Sequence, residues 1–358
     1  YHKSSCMLVT TTTNIIKASP KRKTKTDTKD QDNSYYGQLN KRNINKVTFG
    51  IYEFPTWYGN AAYFYPHDLS HSSLGYEYAN KVASEGSIAR KIHKKDIFDE
   101  NLHEFWLDHL FVCEYCFKYT SNETILNQHV TACTYNRKRP SKGKLLYHDQ
   151  ANGYIIREVR GFQDPLFCQN LCLFGKLFLD DKSVYYNIDH FDFYIVFGKD
   201  DSSYIPMGFF SKEVLSYDND NNLACICVFP PFQRRHLGSL LIEFLYQLAA
   251  VTPGQLKSSG PEFPLSPYGK VTYLRFWSKR LATKIHELQG SFTLSHLSKE
   301  TGFRKEDILL TLEYMQILVT DDLGNVTLSL ERLENWCSQN KVVPGVDINI
   351  LNSECLIL

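Results

Sequence analysis

The densest run of apolar residues in the chain predicts a strand that is followed closely by a helix. Leu223 to Phe229 is nearly all apolar, which is typical of a strand covered on both faces. Pro230 and Pro231 cannot donate backbone hydrogen bonds, so the strand must end there. From Leu240 to Val251 the apolar positions follow helical spacing. The sequence therefore predicts a strand, a turn and a helix in this order.

Patterns elsewhere predict an α+β fold. Helical segments are expected over residues 166–179 and 305–314, and strands over 47–52, 61–65, 154–159 and 191–197. Near the C-terminus, two short helices are joined by a turn at Gly302, which resembles a helix-turn-helix module. The second of these helices carries Glu306, Asp307 and Glu313, and this charge favours a packing role over reading a major groove.

Composition narrows the partners and the compartment. Forty basic and 39 acidic residues leave a formal charge of +1, so no chain-wide basic field would hold nucleic acid. The apolar helix at 240–251 is too short to cross a bilayer, and no membrane partner is expected. The chain has ten cysteines and no pattern of an export signal, which indicates a reducing compartment, either nucleus or cytoplasm.

Four of the ligand-type residues have the spacing of a zinc finger: Cys113, Cys116, His129 and Cys133. Three thiolates and one imidazole at these separations can close a tetrahedral Zn²⁺ site on a hairpin followed by a helix. Phe111, Phe117 and Leu126 stand where a small finger places its apolar core. All four ligands are protein side chains, so the metal is expected to be structural. A finger can also read DNA, but Asn122, Glu123 and Thr124 are a poor set for base edges.

The turn between the predicted strand and helix suits a pyrophosphate. The free N–H groups and positive end of a helix attract phosphate, and Arg234 and Arg235 can pair with phosphate oxygens. The turn lacks the Gly-Lys-Ser/Thr ending of a nucleotide-hydrolysis loop, and no Gly-x-Gly-x-x-Gly is present. The alternative is an ordinary corner with two solvated arginines.

A third motif, Gly260-Pro261-Glu262-Phe263-Pro264-Leu265-Ser266-Pro267, follows the helix. The order of metal cluster, loop and Pro-Glu-x-Pro-Leu-Ser resembles the MYST family of histone acetyltransferases from about Tyr36 to Trp336. Residues 111–120, 206–212 and 264–269 are most similar to family members that act in silencing. The resemblance implies an acetyltransferase (GNAT-like) mixed central sheet with a coenzyme A loop, and acetyl-CoA as co-substrate. It also implies a nuclear protein that modifies a histone tail, histone H4 above all, in nucleosomes or as free histone, together with accessory subunits. Direct sequence-specific DNA binding is not expected.

With this resemblance the chain divides into four segments. They are a disordered basic tail (1–34), N-terminal strands with an insertion at 66–104 and the zinc finger (35–140), an acetyl-CoA-binding core (141–289) and the helix-turn-helix-like module (290–358).

The resemblance also implies roles for individual residues. Glu262 is the general base, Cys225 is the active-site cysteine, and Lys182 matches a lysine that becomes acetylated on itself. The residues implied to contact the coenzyme are Ile226, Cys227, Val228, Gln233, Arg234, Arg235, His236, Leu237, Gly238, Ser239 and Ser266.

The chemistry explains why a carboxylate and a cysteine would stand here. A lysine with a pKa of about 10.4 must lose a proton before it attacks a thioester, at a cost of roughly 4–5 kcal/mol at neutral pH. A partly buried Glu262 with a raised pKa can accept this proton. Cys225 either takes the acetyl group transiently or lines the site while the amine attacks directly.

One departure from the family affects the coenzyme loop. The family usually has glycine where this chain has His236, and glycine tolerates positive φ and close approach of phosphate. A histidine adds a donor to the pyrophosphate or crowds it. Arg275 also stands where several relatives have serine. Two alternatives to the enzyme stay open: a DNA-binding regulator that uses the finger and the helix-turn-helix, and, because of His236, an inactive acetyltransferase-like scaffold.

Overall fold

The structure, a computed structural model, describes residues 7–8, 38–39, 42–64, 107–179, 188–200, 203–214, 220–252, 257–288, 292–320, 324, 326–343, 345–346 and 348–358. The α-helices in these ranges are α1 (Glu123–Ala132), α2 (Pro165–Lys176), α3 (Leu237–Val251), α4 (Pro267–Leu288), α5 (Leu294–Thr301), α6 (Lys305–Tyr314) and α7 (Leu330–Asn340). The strands there are β1 (Met7–Leu8), β2 (Gln38–Leu39), β3 (Ile44–Phe49), β4 (Tyr52–Pro55), β5 (Gly59–Asn60), β6 (Leu107–Val112), β7 (Tyr119–Thr120), β8 (Lys144–Asp149), β9 (Tyr154–Arg160), β10 (Phe191–Asp200), β11 (Ser203–Glu213), β12 (Asn221–Leu223), β13 (Cys225–Val228), β14 (Gly260–Pro261), β15 (Leu318–Thr320) and β16 (Val326–Leu328). The predicted α+β class is confirmed, and none of the described helices has the length and apolar character that a bilayer span requires.

A five-stranded antiparallel sheet in the order β13-β11-β10-β9-β8 forms the centre of the fold. Parallel pairing occurs beside it, where β12 pairs with β14. Helix α3 packs against β11, β12 and β13, and helix α2 packs against β9. The expectation that residues 223–229 form a strand covered on both faces is wrong. The segment breaks at Ala224, and β13 is an edge strand whose residues are half-buried except for Cys227.

Two N-terminal predictions are also wrong in detail. The strand expected over 47–52 ends at Phe49, because Gly50 (φ +59°) turns the chain back into β4. The strand expected over 61–65 is a 3-10 helix, Ala61–Phe64, in the residues that the structure describes. Its cause is the side chain of Asn60, which accepts the N–H of Ala62 at 2.7 Å and so starts a tight turn.

Four buried phenylalanines join the N-terminal strands, the Cys-rich hairpin and the central sheet. Phe49 lies on β3, Phe117 in the hairpin between β6 and β7, Phe174 on α2, and Phe229 directly after β13. Ring centroids are 4.8 Å apart for Phe49 and Phe174, 4.8 Å for Phe174 and Phe229, and 6.0 Å for Phe117 and Phe229. The Cys-rich hairpin therefore shares its core with the strand that leads into the predicted coenzyme loop.

The C-terminal residues fasten back onto the sheet and onto α3. The buried carboxylate of Glu243 on α3 accepts the N–H groups of Ile350 and Leu351 at 2.9 and 2.7 Å. The N–H of Ile357 donates to Leu146 on β8 at 2.8 Å. Helix α6 has the bounds that the sequence predicts. Within the predicted tail 1–34, the described pair Met7–Leu8 forms β1 against β16; the rest of that tail and the insertion at 66–104 lie outside the described residues. The boundaries of the four segments stay a prediction.

Candidate active site

The four predicted metal ligands converge. The ligand atoms of Cys113, Cys116, His129 and Cys133 all lie within 4.8 Å of one another. Cys113 Sγ lies 4.0 Å from Cys133 Sγ, and Cys116 Sγ lies 3.2 Å from His129 Nε2. Helix α1 delivers the second half of the set, and its first turn is capped by Asn122, whose side chain accepts the N–H of Ile125. Phe111, Phe117 and Leu126 are buried, as the sequence predicts.

The electrostatics of this cluster suit a cation. A hydrogen bond to Cys116 and burial raise the pKa of the Cys113 thiol, and burial raises that of Cys133. Burial and the charge of Lys118 lower the pKa of His129, which keeps its imidazole in the neutral form that binds metal. Thiolates packed this closely need a positive charge between them. The donor set therefore fits a metal that prefers sulfur and nitrogen in tetrahedral geometry.

The predicted coenzyme loop leaves the edge strand and enters α3. After Val228, Pro230–Phe232 forms one 3-10 turn. The side-chain amide of Gln233 then donates to the carbonyl of Val228 at 3.0 Å, so Gln233 braces the loop. The first i to i−4 backbone bond of α3 runs from the N–H of Leu240 to the carbonyl of His236 at 3.0 Å. The N–H groups of residues 237–239 before it are the ones that a helix leaves for an anion.

Two residues of the loop adopt the left-handed conformation. Arg234 has φ +63° and His236, the N-cap of α3, has φ +61°. Alternation of left-handed residues turns successive N–H groups towards one point and makes an anion-binding concavity. Arg234, Arg235 and His236 are exposed, and the Arg235 guanidinium lies over the ring of Phe232 at 5.6 Å. His236 thus occupies the kind of position at which glycine is unstrained.

Gly238 has no packing reason to be glycine. The nearest atom to a Cβ built on it is Thr272 Cγ2 at 3.8 Å, which is an ordinary contact. Among the described residues, the space beside Gly238 is therefore open. This open cradle fits a phosphate group that approaches the backbone closely.

Glu262 lies beside the edge strands. Its N–H donates to the carbonyl of Leu223 at 3.0 Å, and the preceding residues form β14 parallel to β12. Leu223 ends β12 and Cys225 begins β13. The Glu262 side chain is exposed, so the partial burial expected for a base is not supplied by the chain's own packing. Ser266 accepts the N–H of Gly269 at 3.1 Å and thereby caps the first turn of α4.

Cys225 has a cationic neighbour that the sequence analysis did not single out. Burial raises the pKa of Cys225 to about 12, and the charge of Lys176 offsets part of this rise. Lys176 is buried at the end of α2, and burial lowers its pKa to about 8. The sequence signal for Lys176 is a single lysine in an otherwise apolar run of that helix. Lys182, the predicted self-acetylation site, lies outside the described residues.

Thus Glu262 is held at the end of β12, and the edge strand β13 that follows runs into a turn suited to an anion, an arrangement that suits acyl transfer from a coenzyme. Residues 140–353 match the model of the MOZ/SAS family. The chain is 43% identical over 317 residues to Histone acetyltransferase SAS2 of Saccharomyces cerevisiae. These residues cover 86% of this chain and 83% of that protein. It is 35% identical to the Histone acetyltransferase Tip60 homolog of Caenorhabditis elegans, over 59% of this chain and 45% of that protein. It is 36% identical to Histone acetyltransferase mst2 of Schizosaccharomyces pombe, over 63% of this chain and 54% of that protein. The chain therefore spans about half the length of these last two relatives.

The chain belongs to the MOZ/SAS family, and it is an acyltransferase. The resemblance to the MYST family is thereby confirmed, including the narrower resemblance to a silencing-type member. The roles of the individual site residues stay predictions.

Proposed function

We propose that this chain transfers an acetyl group from acetyl-CoA to a lysine of a histone tail. The observation that supports the proposal is the backbone bond between Glu262 and Leu223, because it holds Glu262 at the end of β12, two residues before the edge strand that runs into the anion cradle. The edge strand and the cradle support a GNAT-like coenzyme A site, but the central sheet is antiparallel in the described residues and not mixed as predicted. The relatives' names supply the histone as acceptor.

The chain's own residues position the two substrates. Ile226 to Val228 offer the edge of β13 to an extended amide chain such as pantetheine, in the manner of an added strand. Gln233 to Ser239 hold the pyrophosphate through backbone N–H groups and the Arg234 and Arg235 side chains. Ser266 keeps a hydroxyl proton for a further contact, because its oxygen accepts from Gly269. When bound, acetyl-CoA supplies the thioester carbonyl that the lysine amine attacks.

Glu262 acts as the general base. It takes one proton from the substrate ammonium, and the freed nitrogen pair forms the C–N bond as the C–S bond breaks. The leaving thiolate takes up the second proton, which the nitrogen releases as it becomes the neutral amide. Because Glu262 is exposed in the chain alone, its desolvation must come from the substrates that cover it, which raises its basicity when both are bound.

Cys225 lines the site and does not carry the acetyl group. A thiol with a pKa of about 12 is almost entirely protonated at neutral pH, and the thiolate is the nucleophilic form. Direct attack of the amine does not require the site to deprotonate Cys225, whereas a cysteine-bound acetyl group does.

The remaining proposals complete the biological setting. Cys113, Cys116, His129 and Cys133 hold a structural Zn²⁺, whose four protein ligands leave no position for catalysis. The preferred acceptor is the histone H4 tail, free or in nucleosomes, and the protein works in the nucleus with accessory subunits of a SAS-like complex. Lys182 becomes acetylated on itself.

The α5–Gly302–α6 unit is proposed as a helix-turn-helix-like packing module. Asp307, Ile308, Thr311 and Leu312 of α6 are buried, so this face of the second helix packs on the protein and is withheld from a DNA groove.

The test incubates purified protein with radiolabelled acetyl-CoA and histone octamers. We expect label on histone lysines with the wild type, and a loss of about a hundredfold or more in Glu262→Gln with unchanged acetyl-CoA binding. Glu313→Gln, which removes an exposed carboxylate on α6, is the matched control and should keep wild-type transfer. Binding of duplex DNA without acetyl-CoA would favour the regulator, and acetyl-CoA binding without transfer would favour the scaffold.

A further inference from the structure

The segment that carries Glu262 is held on two sides. On the core side, Gly260 donates its N–H to the carbonyl of Asp220 at 2.9 Å, and Glu262 donates to Leu223. On the other side lies the α5–Gly302–α6 unit. The N–H of Ser259 donates to the carbonyl of Gly302 at 2.9 Å, and the hydroxyls of Ser258 and Ser298 are 2.8 Å apart. The loop is therefore sandwiched between β12 and the C-terminal helices.

One arginine of the C-terminal helices touches both neighbours of Glu262. Arg304, the N-cap of α6, donates through Nη2 to the carbonyl oxygen of Pro261. The same guanidinium lies 5.3 Å from the ring centroid of Phe263. Its Nη1 reaches Asn221 Oδ1 at 3.3 Å and lies 3.6 Å from Asp220 Oδ2. Arg304 thus spans β12 and the loop at the residues immediately before and after the proposed base.

Asp307 fixes the guanidinium in this place. Its Oδ2 accepts Arg304 Nε at 3.0 Å, and the Asp307 side chain is fully buried. The approach to the loop is so close that a side chain at position 260 would displace Arg304 or Asp307. A Cβ built on Gly260 would lie 2.6 Å from Arg304 Nη2 and closer still to the Asp307 carboxylate. A buried ion pair is weak as a source of stability, and its best-attested use is to fix a geometry.

We propose that Arg304, oriented by Asp307, is a positioning residue for Glu262. Through the Pro261 carbonyl and the Phe263 ring it sets the backbone on both sides of Glu262 and so the direction of the carboxylate. The α5–Gly302–α6 unit is then part of the catalytic apparatus without touching substrate. The proposal rests on the role of Glu262 as general base.

The test compares a variant that removes the Arg304–Asp307 ion pair with a variant that keeps both charges; neither leaves an unpaired buried charge. Arg304→Met combined with Asp307→Asn removes both charges. Arg304→Lys keeps a charge for Asp307 but loses the fork that also reaches Pro261. Arg332→Met is the matched control, because Arg332 in the same C-terminal region donates to the carbonyl of Leu318 at 3.2 Å, away from the loop.

We expect the double variant to lose about tenfold or more in kcat with KM for acetyl-CoA changed by less than about twofold, because the coenzyme cradle is untouched. Arg304→Lys should recover part of this loss, and Arg332→Met should retain wild-type kcat. Adding Glu262→Gln to the double variant should give a rate no lower than that of Glu262→Gln alone, because Arg304 acts through Glu262. A purely structural role predicts additive losses.

Wild-type kcat in the double variant, or losses that add to those of Glu262→Gln, would overturn the positioning role while leaving the base in place. If the double variant has no cooperative melting transition, Arg304→Lys alone decides, and an unchanged kcat overturns the proposal. If the wild type transfers no acetyl group, or Glu262→Gln transfers normally, the proposed function fails instead. In that case, amide hydrogen exchange of residues 257–263 tests whether Arg304 holds the loop. Faster exchange there in the double variant, with residues 237–251 unchanged, supports Arg304 as the loop clamp, and unchanged exchange overturns it.

Discussion

The N–H of Glu262 donates to the carbonyl of Leu223 at 3.0 Å. Cys225 follows Leu223 by two residues, and two residues of extended chain span roughly 7 Å. One backbone bond therefore places the proposed base next to the start of the edge strand, although the two segments are separated along the chain by all of α3.

Replacement of Cys225 separates direct attack from a cysteine-bound acetyl group. Because burial raises the pKa of Cys225 to about 12, we expect Cys225→Ala to retain transfer within about tenfold of the wild type. Rapid acid quench followed by peptide mass spectrometry should find no acetyl group on the peptide that contains Cys225.

Cys168→Ala is the matched control, because Cys168 is a buried thiol of α2 outside the proposed site and reports the effect of a small cavity alone. A loss of about a thousandfold in Cys225→Ala, with normal activity in Cys168→Ala and an acetylated Cys225 in the wild type, would refute direct attack.

Replacement of His236 tests the departure from the family in the coenzyme loop. Since His236 has φ +61°, His236→Gly should raise the free energy of unfolding by about 1 kcal/mol relative to His236→Ala, which keeps a Cβ in the left-handed region. Chemical denaturation of both variants measures this difference. The glycine variant should also bind acetyl-CoA at least as tightly as the wild type in calorimetry. Equal stability of the two variants would show that the loop is not strained at this position.

The sequence predicts those elements whose pattern is local. The bounds of α6 and the existence of β9 follow from the spacing of apolar residues, and β10 and α2 follow from apolar runs that are buried nearly all round. The 3-10 turn at Ala61–Phe64 was missed because a side-chain bond from Asn60 decides it. The edge position of β13 was missed because an apolar run does not tell an edge strand from a central one.

The candidate site divides in the same way. The metal ligands, the coenzyme loop and Glu262 stand in short motifs, and each motif states its chemistry within a few residues. Lys176 and Arg304 stand in no motif. Arg304 reaches Pro261 across 43 positions of sequence, and such a contact is fixed by tertiary packing alone.

Metal removal should affect the coenzyme site as well as the Cys-rich hairpin. Phe117 follows the ligand Cys116, and its ring packs 6.0 Å from that of Phe229, the residue before the loop. Because thiolates without a cation repel one another, chelation should unfold the hairpin and disturb this shared core. We expect stoichiometric loss of zinc by elemental analysis, reduced near-ultraviolet circular dichroism and reduced transfer, restored by added Zn²⁺.

The control is Cys337→Ser, which removes a buried thiol of α7 outside the ligand set and should leave the zinc content unchanged. Full transfer by protein that has been shown to lack zinc would contradict the coupling between hairpin and loop.

Asp307 should give the folding stability a measurable pH dependence. Burial raises its pKa from 3.8 to about 6 in the folded state, against the opposing effect of Arg304. Other charged or titratable groups near it are Glu306, Asp220, Tyr246 and Tyr273. Because the folded state binds the proton more tightly, Asp307 contributes more stability as the pH falls from 7 to 5, and less as the pH rises.

The free energy of unfolding of the wild type relative to Asp307→Asn should therefore rise by roughly 1 kcal/mol between pH 7 and pH 5, since one unit of pKa difference is worth 1.36 kcal/mol. Urea unfolding at both pH values measures the change. Glu306 is an exposed neighbour of Asp307 on the same helical turn. The stability difference between the wild type and Glu306→Gln should change little between the two pH values. If the stability difference between the wild type and Asp307→Asn stays constant with pH, Asp307 is ionised throughout this range, and the Arg304 guanidinium outweighs the effect of burial.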